Sequence, residues 1–148
     1  MNRGLIWIAI LVVLGVGGFL FKDFLSGNAG NLQVGQCFDL PSDQLETVDD
    51  VQHHPCDQVH GGEVFFVGKS VAANDAAYPS NAELQAEVFG FCDPAFTSYT
   101  GKDSNTDPEW TYGFFVPTSE GWGKGDRGII CYARKLDGST TTTSIKSS

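Results

Sequence analysis

The stretch that decides the fold runs from a cysteine into an apolar strand: Cys56-Asp57-Gln58-Val59-His60-Gly61-Gly62-Glu63-Val64-Phe65-Phe66-Val67. The glycine pair at its centre predicts a turn or a bulge. The four apolar residues at its end predict a strand over residues 63–71 that is buried on both faces or covered by a helix. The stretch therefore places a cysteine, a histidine and an acid at the entrance to a hydrophobic core.

The segment that follows this strand predicts a helix. Ser80 and Glu83 fit a capping box, which marks a helix start. Apolar residues then recur at helical spacing, at Leu84, Val88, Phe91, Cys92, Ala95, Phe96 and Tyr99. Pro94 lies inside this pattern and predicts either a kink or the start of a second helix. Since Cys92 lies on the apolar face, a disulfide from it would tie the helix to the sheet.

Alternating or apolar runs on either side of these elements predict further strands, at residues 32–40, 51–54, 110–116 and 127–134. Residues 118–125 predict a glycine-rich turn. Residues 137–148 are rich in Thr and Ser, and they either fray or add one edge strand around Ser144-Ile145. One helical region among several strands predicts an α+β domain with an antiparallel sheet and one kinked or paired helix.

Composition and charge exclude one large class of partner. The chain has 148 residues, 41% of them hydrophobic, which allows one domain of ordinary size and a short additional element. Its 18 acidic residues outnumber 9 basic ones, for a formal net charge of −9. A nucleic-acid-binding protein needs a basic face, so we expect no nucleic acid partner. The acidity also weakens any attraction to anionic lipid headgroups.

The N-terminus predicts a membrane anchor over residues 4–25. Leu5 to Phe21 contains no charged residue and, with a frayed turn, approaches the roughly 30 Å hydrocarbon core of a bilayer. Arg3 precedes this run, which places residues 1–3 in the cytoplasm. Residues 26–31 form a short polar linker, and residues 32–148 form a domain on the extracytoplasmic (periplasmic) side of the cell membrane. The alternative is a cleaved signal peptide, whose hydrophobic region is usually only about 7–15 residues long.

The cysteines support the same orientation. All four follow the hydrophobic N-terminus, at Cys37, Cys56, Cys92 and Cys131. An even number of cysteines in a small exported domain predicts two disulfides, which form in an oxidising compartment. The residues alone leave three pairings open. Because the chain has no Cys-x-x-Cys motif, neither a thioredoxin-like redox pair nor a zinc ribbon is indicated.

The same region holds the residue types of a metal or catalytic site. His53, His54, Cys56 and His60 are close in sequence, but zinc needs four converging ligands, and an oxidised Cys56 offers no thiolate. His60 and Glu63 could form an acid–base pair, which needs a positioned histidine near its neutral pKa and an orienting carboxylate. No serine or free cysteine is obviously paired with them. We expect instead that His60 binds the turn and that Glu63 holds its orientation, with no metal, cofactor or catalytic residue.

Two further groups have a structural and a functional interpretation. Asp126-Arg127 could bind an anion, but such a pair more often closes a turn or makes a buried bidentate contact that fixes strand ends. An aromatic set could form a carbohydrate platform, although aromatic residues at strand spacing are more often core. This set comprises Trp110, Tyr112, Phe114, Phe115 and Trp122. We expect the structural role in both cases and no small-molecule ligand.

The order of these motifs resembles the septum formation domain family of actinobacterial envelope proteins. The matching motifs are Val34-Gly35-Gln36-Cys37-Phe38, Cys56-x-x-x-His60-x-x-Glu63-Val64, Cys92 with Phe96 and Tyr99, and Trp122-x-x-Gly125-Asp126-Arg127 with Cys131. The resemblance covers residues 32 to 146. It implies an extracytoplasmic α+β domain without established catalytic activity. It also implies that Cys37 pairs with Cys56 and that Cys92 pairs with Cys131.

Two functions are compatible with this resemblance. The first is a non-enzymatic, membrane-anchored envelope protein whose outer domain is an interaction module, with a role in septum formation or cell division. The second is an accessory subunit of a larger membrane complex, such as a respiratory supercomplex, with the domain on its outer face. In both, the partners are membrane lipid and other membrane or envelope proteins.

Overall fold

The computed structural model describes residues 27–41 and 50–148. The predicted anchor at residues 4–25 lies outside the described residues, as do residues 42–49. Within the described residues, no helix has both the length and the apolar character needed to cross a bilayer.

The predicted class, an α+β domain with an antiparallel sheet, is confirmed. The main sheet has five antiparallel strands in the order β4-β2-β5-β7-β6. These are β2 (Cys37–Phe38), β4 (His53–His54), β5 (Gly62–Lys69), β6 (Trp110–Phe115) and β7 (Gly128–Lys135). A second, two-stranded sheet pairs β1 (Gly27–Asn28) with β3 (Asp50–Val51), and a short 3-10 helix, Ala29–Asn31, follows β1.

The long helix of the described residues, α1 (Asn81–Thr100), covers one face of the main sheet. Ser80 and Glu83 form the predicted capping box, with each side chain bonded to the other residue's backbone N–H. Pro94 does not divide the helix, so the paired alternative was wrong. Pro94 and Gly90, whose carbonyl would otherwise accept the missing bond, are both exposed, so water can solvate that carbonyl.

The core has two parts, one on each face of the main sheet. On the helix face, buried side chains from α1 pack against β5 and β7, including Val88, Phe96, Phe65 and Ile129. On the other face, Phe38 and Leu32 pack against Val64 and Ile130. The N-terminal half of β5 is therefore buried on both faces, as its apolar run predicted.

Several predicted boundaries were wrong for identifiable reasons. The strand expected over residues 32–40 is reduced to Cys37–Phe38, because Gln36 N–H donates to the Gln33 carbonyl and Gly35 adopts a φ of 88°. The strand expected over residues 51–54 is two short strands in different sheets. Residues 118–125 are not only a turn: a short helix, α2 (Ser119–Gly123), forms there with Thr118 as its N-cap. The strands predicted at residues 110–116 and 127–134 are found within one residue of their expected limits.

The glycine pair at residues 61 and 62 is not a turn or a bulge. Gly62 begins β5, and the irregularity in β5 lies between Val64 and Phe66. A Cβ on Gly61 would lie 2.9 Å from the Leu40 side chain, and one on Gly62 would lie 2.8 Å from the Phe38 ring. Glycine is needed here because β2 and the residues after it lie directly against the backbone.

Candidate functional site

The buried carboxylate of Glu63 joins three separate parts of the chain. Only 3% of Glu63 is exposed. Its carboxylate accepts hydrogen bonds from the Tyr99 hydroxyl at 2.8 Å, the Ser144 hydroxyl at 2.7 Å and the Ile145 backbone N–H at 2.9 Å. These donors compensate for the desolvation of the charge. Burial, reinforced by the bond to Glu63, raises the pKa of Tyr99. Glu63 thus links β5, α1 and the C-terminal segment.

The C-terminal segment, residues 137–148, is ordered against this centre rather than frayed. It forms no edge strand. Instead, one isolated antiparallel bridge joins Thr141 to His60 through two backbone hydrogen bonds of 2.9 Å. Ile145 is 9% exposed and belongs to the helix-face core. The bonds to Glu63 and the burial of Ile145 explain why this polar segment is held in place.

His60 is held by the backbone and not by Glu63. Its Nδ1 lies 2.7 Å from the Gln58 carbonyl oxygen, which can only accept, so Nδ1 carries the proton. His60 does bind nearby backbone, but at Gln58, before it in sequence, and not at the glycine pair where the turn was expected. The role expected for Glu63 was wrong. The ring is 1% exposed, and its Nε2 has no hydrogen-bond partner among the described residues.

Cys37, His60 and Glu63 bring potential metal-ligand atoms within 4.8 Å of one another. The donor set does not fit a structural zinc site, which takes four ligands. The Cys37 sulfur is bonded to Cys56, and the Glu63 oxygens already accept three hydrogen bonds. Of these potential ligand atoms, His60 Nε2 has neither a covalent nor a hydrogen-bond partner among the described residues.

The hydrogen bonds of this centre run in a different order from a nucleophile–base–acid relay. In such a relay the histidine lies between the hydroxyl and the acid. Here the Ser144 and Tyr99 hydroxyls both donate to Glu63, and the His60 Nδ1 donates to a carbonyl. The two hydroxyls, His60 and Glu63 therefore lie close together, but their hydrogen bonds do not form such a relay.

Arg127 is the centre of a second buried cluster, and it forms no ion pair with the Asp126 carboxylate. Its guanidinium donates to the carbonyls of Trp122, Asp126, Ala73 and Asn74 and stacks 3.7 Å from the centre of the Trp122 ring. The Asp126 carboxylate instead accepts from the Gly128 N–H at 2.9 Å. Of the two expected structural roles, the bidentate contact was wrong, whereas the Asp126–Gly128 bond closes a turn. Arg127 fixes the loop after β5 against α2.

An open cleft of about 490 Å³ lies beside this cluster and is lined by Lys69, Thr118, Asp126 and Arg127, among others. The Arg127 side chain is an unsuitable anion ligand there. Both of its terminal nitrogens are bonded to carbonyls, and its buried Nε has no contact with solvent. The neighbouring Asp126 carboxylate would also repel an anion.

The remaining predicted groups lie apart from these two centres. His54 Nε2 lies 2.9 Å from an Asp39 carboxylate oxygen, which is an ion-pair distance. Burial, followed by the charge of His54, lowers the pKa of His53. Trp110 and Trp122 are buried, and Tyr112, Phe114 and Phe115 are partly buried against the two cores, as expected of core aromatics.

Both disulfides have the pairing that the family resemblance implied. Cys37 in β2 is bonded to Cys56, which follows β4. Cys92 in α1 is bonded to Cys131 in β7, so this bridge ties the helix to the sheet. The described residues contain no free cysteine.

Sequence reasoning missed the partners of Glu63. Tyr99 was predicted as a helix-face residue and Ser144 as part of a fraying tail or edge strand, but neither was connected to Glu63. One signal was present: Glu63 adjoins an apolar strand, and a carboxylate that is buried there needs hydrogen-bond donors to offset the loss of its hydration. The sequence did not indicate which donors would compensate it, because Ser144 and Ile145 are 81 and 82 positions away.

These features define a class: a small, two-disulfide α+β domain in which buried polar centres hold short segments on a helix-covered antiparallel sheet. The sequence model of the septum formation family matches residues 34–148, so the chain belongs to that family. No curated protein and no solved structure is significantly similar to the chain.

Proposed function

We propose that the chain is a non-enzymatic, membrane-anchored envelope protein whose folded domain acts as an interaction module in septum formation during cell division. The observation that carries this proposal is the family match over residues 34–148. The N-terminus lies in the cytoplasm, residues 4–25 span the cell membrane, and the domain lies on the extracytoplasmic side.

Two properties of the chain support this arrangement. The run from Leu5 to Phe21 contains no charged residue, which suits the hydrocarbon core of a bilayer. The two disulfides suit an oxidising compartment outside the cytoplasm. A domain held by two covalent bridges also suits a binding role there, since a rigid surface loses little conformational entropy when a partner binds.

The experiment for the cellular role combines location with loss of function. A C-terminal fusion to a fluorescent protein that folds outside the cytoplasm should concentrate at division sites, and deletion of the gene should lengthen cells and delay septa. The matched control is the same fusion lacking residues 32–148, which should spread evenly around the membrane. Even distribution of the full-length fusion together with normal septa would contradict the proposal.

Purification distinguishes the accessory-subunit alternative. The full-length chain with a C-terminal tag is extracted in mild detergent, and its partners are quantified by mass spectrometry. Septal proteins are expected. Stoichiometric recovery of a respiratory or transport complex would replace the septal role with an accessory one.

The non-enzymatic part of the proposal rests on the connectivity around Glu63. His60→Gln removes the imidazole and keeps a polar side chain of similar length. At equal protein abundance, the variant should support septum formation as the wild type does. A loss of function without loss of abundance would indicate chemistry at His60.

A further inference from the structure

Among the described residues, nothing pairs with the outer side of the β6 backbone at the edge of the main sheet. The backbone of Leu136 donates to the Glu109 carbonyl at 2.8 Å, and the same register pairs Thr111 with Arg134 and Gly113 with Tyr132. In an antiparallel pair, alternate residues point their backbone groups toward the partner strand. The N–H and C=O groups of Tyr112 and Phe114 therefore point away from β7, toward the open side.

This edge lacks the features that normally protect an exposed strand. Native edges are usually very short or carry lysine, proline or a bulge. At the opposite edge of the sheet, β4 has only two residues. By contrast, β6 has six residues, Trp110–Phe115, without a charged residue or a proline, and its register with β7 is continuous. Of the two edges, β6 is the one long enough to pair with another strand.

An exposed aromatic side chain, Phe89, lies beside the open edge. Phe89 of α1 is 42% exposed, and its ring lies 6.4 Å from that of Tyr112 and 6.2 Å from that of Phe114 in edge-to-face geometry. A strand added to β6 would lie about 4.8 Å away and would place every second side chain on this face. Those side chains would cover the exposed part of Phe89, so apolar residues are favoured there.

A carboxylate marks one end of the same surface. Asp93 lies one helical turn after Phe89 and accepts hydrogen bonds from the hydroxyls of Tyr112 and Ser104. None of the ion pairs formed by the described residues includes Asp93. Both Asp93 and the net charge of −9 favour a cationic partner over an acidic one.

We infer that the open edge of β6, with Phe89 and Asp93, binds an extended basic segment of a partner protein by adding it to the sheet as a sixth strand. The backbone of the segment bonds to Tyr112 and Phe114, its apolar side chains cover Phe89, and a lysine or arginine reaches Asp93. This inference rests on the proposed role of the domain as an interaction module and names the surface that would carry it.

A second copy of the chain is a poorer occupant of this edge. Pairing β6 with β6 would bring two acidic chains together. Like charges across an interface oppose association. A basic segment removes this repulsion and supplies the missing counter-charge.

The test uses the full-length chain in detergent micelles and two synthetic peptides of about ten residues, enough to span a six-residue strand. Both peptides alternate valine with threonine, so that the valine face covers Phe89, and the valine at each end of that face is replaced by lysine in one peptide and by glutamate in the other. The lysine peptide should bind saturably and slow hydrogen exchange at the Tyr112 and Phe114 amides by at least about tenfold. The Thr111 and Gly113 amides, which face β7, should be slow with or without peptide.

Two variants and one control connect the binding to the surface. Phe89→Ser should weaken binding of the lysine peptide by at least about fivefold, as expected for an apolar anchor. Asp93→Asn keeps an acceptor for Tyr112 and should weaken binding by about twofold to fivefold at low salt and less at high salt. Val59→Ser, at a residue that is 57% exposed and lies outside the edge, should leave the affinity unchanged.

Three outcomes would overturn the inference. They are equal affinity for the two peptides, exchange protection that does not include Tyr112 and Phe114, and peptide-free dimerisation that protects those two amides. The last result would assign the edge to a second copy. The peptide result is independent of the cellular role: normal septa with intact peptide binding would contradict the proposed function alone, whereas septal location without peptide binding would contradict the edge site alone.

Discussion

Two regions of the domain are stabilised by different kinds of interaction. The helix–sheet block consists of α1 and the strands β5, β6 and β7, and the tail margin consists of β2, β4 and residues 137–148. The block has strands of six to eight residues and a 20-residue helix around a buried apolar core. The margin has two-residue strands and a single backbone bridge, and it is held by a disulfide and the bonds to Glu63.

The difference shows which interactions can offset the entropy lost when long and short elements become ordered. A long amphipathic element buries enough apolar area to offset the entropy of ordering it. A two-residue strand such as β2 contributes at most two buried side chains, here Cys37 and Phe38, so a covalent link or a buried charge-assisted hydrogen bond adds to the stability of the margin. The following predictions test this division.

The largest expected effect is in the core of the helix–sheet block. Phe96 has no exposed surface and contacts the rings of Phe65 and Tyr112. Phe96→Ala should lower the free energy of unfolding by about 3–5 kcal/mol, since it removes buried area and leaves a cavity. Guanidinium titration of the full-length chain in detergent measures the loss. Phe89→Ala, on the same helix but 42% exposed, is the control and should cost less than about 1.5 kcal/mol. Equal losses would show that the core does not dominate this block.

The disulfides should differ in the size and the location of their effects. Paired replacement of Cys92 and Cys131 by alanine opens a loop of sequence separation 39, whereas replacement of Cys37 and Cys56 opens one of 19. The loop-entropy relation predicts losses of about 4 and about 3 kcal/mol, respectively. Hydrogen exchange should then accelerate throughout the domain in the first case and chiefly around β2 and β4 in the second. Local acceleration in both cases would contradict a cooperative helix–sheet block.

Glu63→Gln tests the polar attachment of the tail margin. The amide keeps the side-chain shape but loses the charge and one acceptor oxygen, so we expect a loss of about 1.5–3 kcal/mol. Hydrogen exchange at the Ile145 amide should rise more than exchange at amides within β7. Glu87→Gln is the matched control: that carboxylate accepts bonds from Ser70 and Val71 and lies in the helix–sheet block. An unchanged Ile145 amide in the Glu63 variant would show that apolar contact alone holds the tail.

The smallest effect is a pH dependence in the tail margin. Burial, reinforced by His54, lowers the pKa of His53 below its usual 6.5. The folded state therefore binds a proton less readily than the unfolded state, so stability is fully present above pH 6.5 and declines as the pH falls through the folded pKa. Unfolding midpoints at about pH 7.5 and pH 5 should differ less in His53→Gln than in the wild type. The Phe96→Ala variant, which alters no titrating group, should keep the wild-type difference.

Much of the helix–sheet block was predictable because its signals are local. The Ser80–Glu83 capping box marks the start of α1, and the apolar spacing from Leu84 to Tyr99 marks its buried face. The apolar run from Val64 to Val67 and the alternation in Arg127–Arg134 predicted strands to within two residues. Such patterns depend on the period of a helix or a strand, which a single segment contains.

The candidate site was only partly predictable. A local hydrogen bond of His60 was expected, although its acceptor is the Gln58 carbonyl, two residues earlier, and not the glycine pair. The Glu63 centre was not, because its donors come from α1 and from a tail whose Thr- and Ser-rich composition resembles that of a solvated segment. The partners of Arg127 were missed for a similar reason: the Ala73 and Asn74 carbonyls are backbone groups, which no residue type identifies.

The sequence by itself determined the family, the α+β class, the two bridges that the resemblance implied, and the position of the long helix and strands. Only the tertiary structure decided that Gly61 and Gly62 make room for Leu40 and Phe38, that the C-terminal tail docks on Glu63, and that Tyr112 and Phe114 lie on an open edge. The physical reason is one of range. Periodicity and capping act within a few residues, whereas close backbone approach, charge compensation and strand order depend on which distant segments meet.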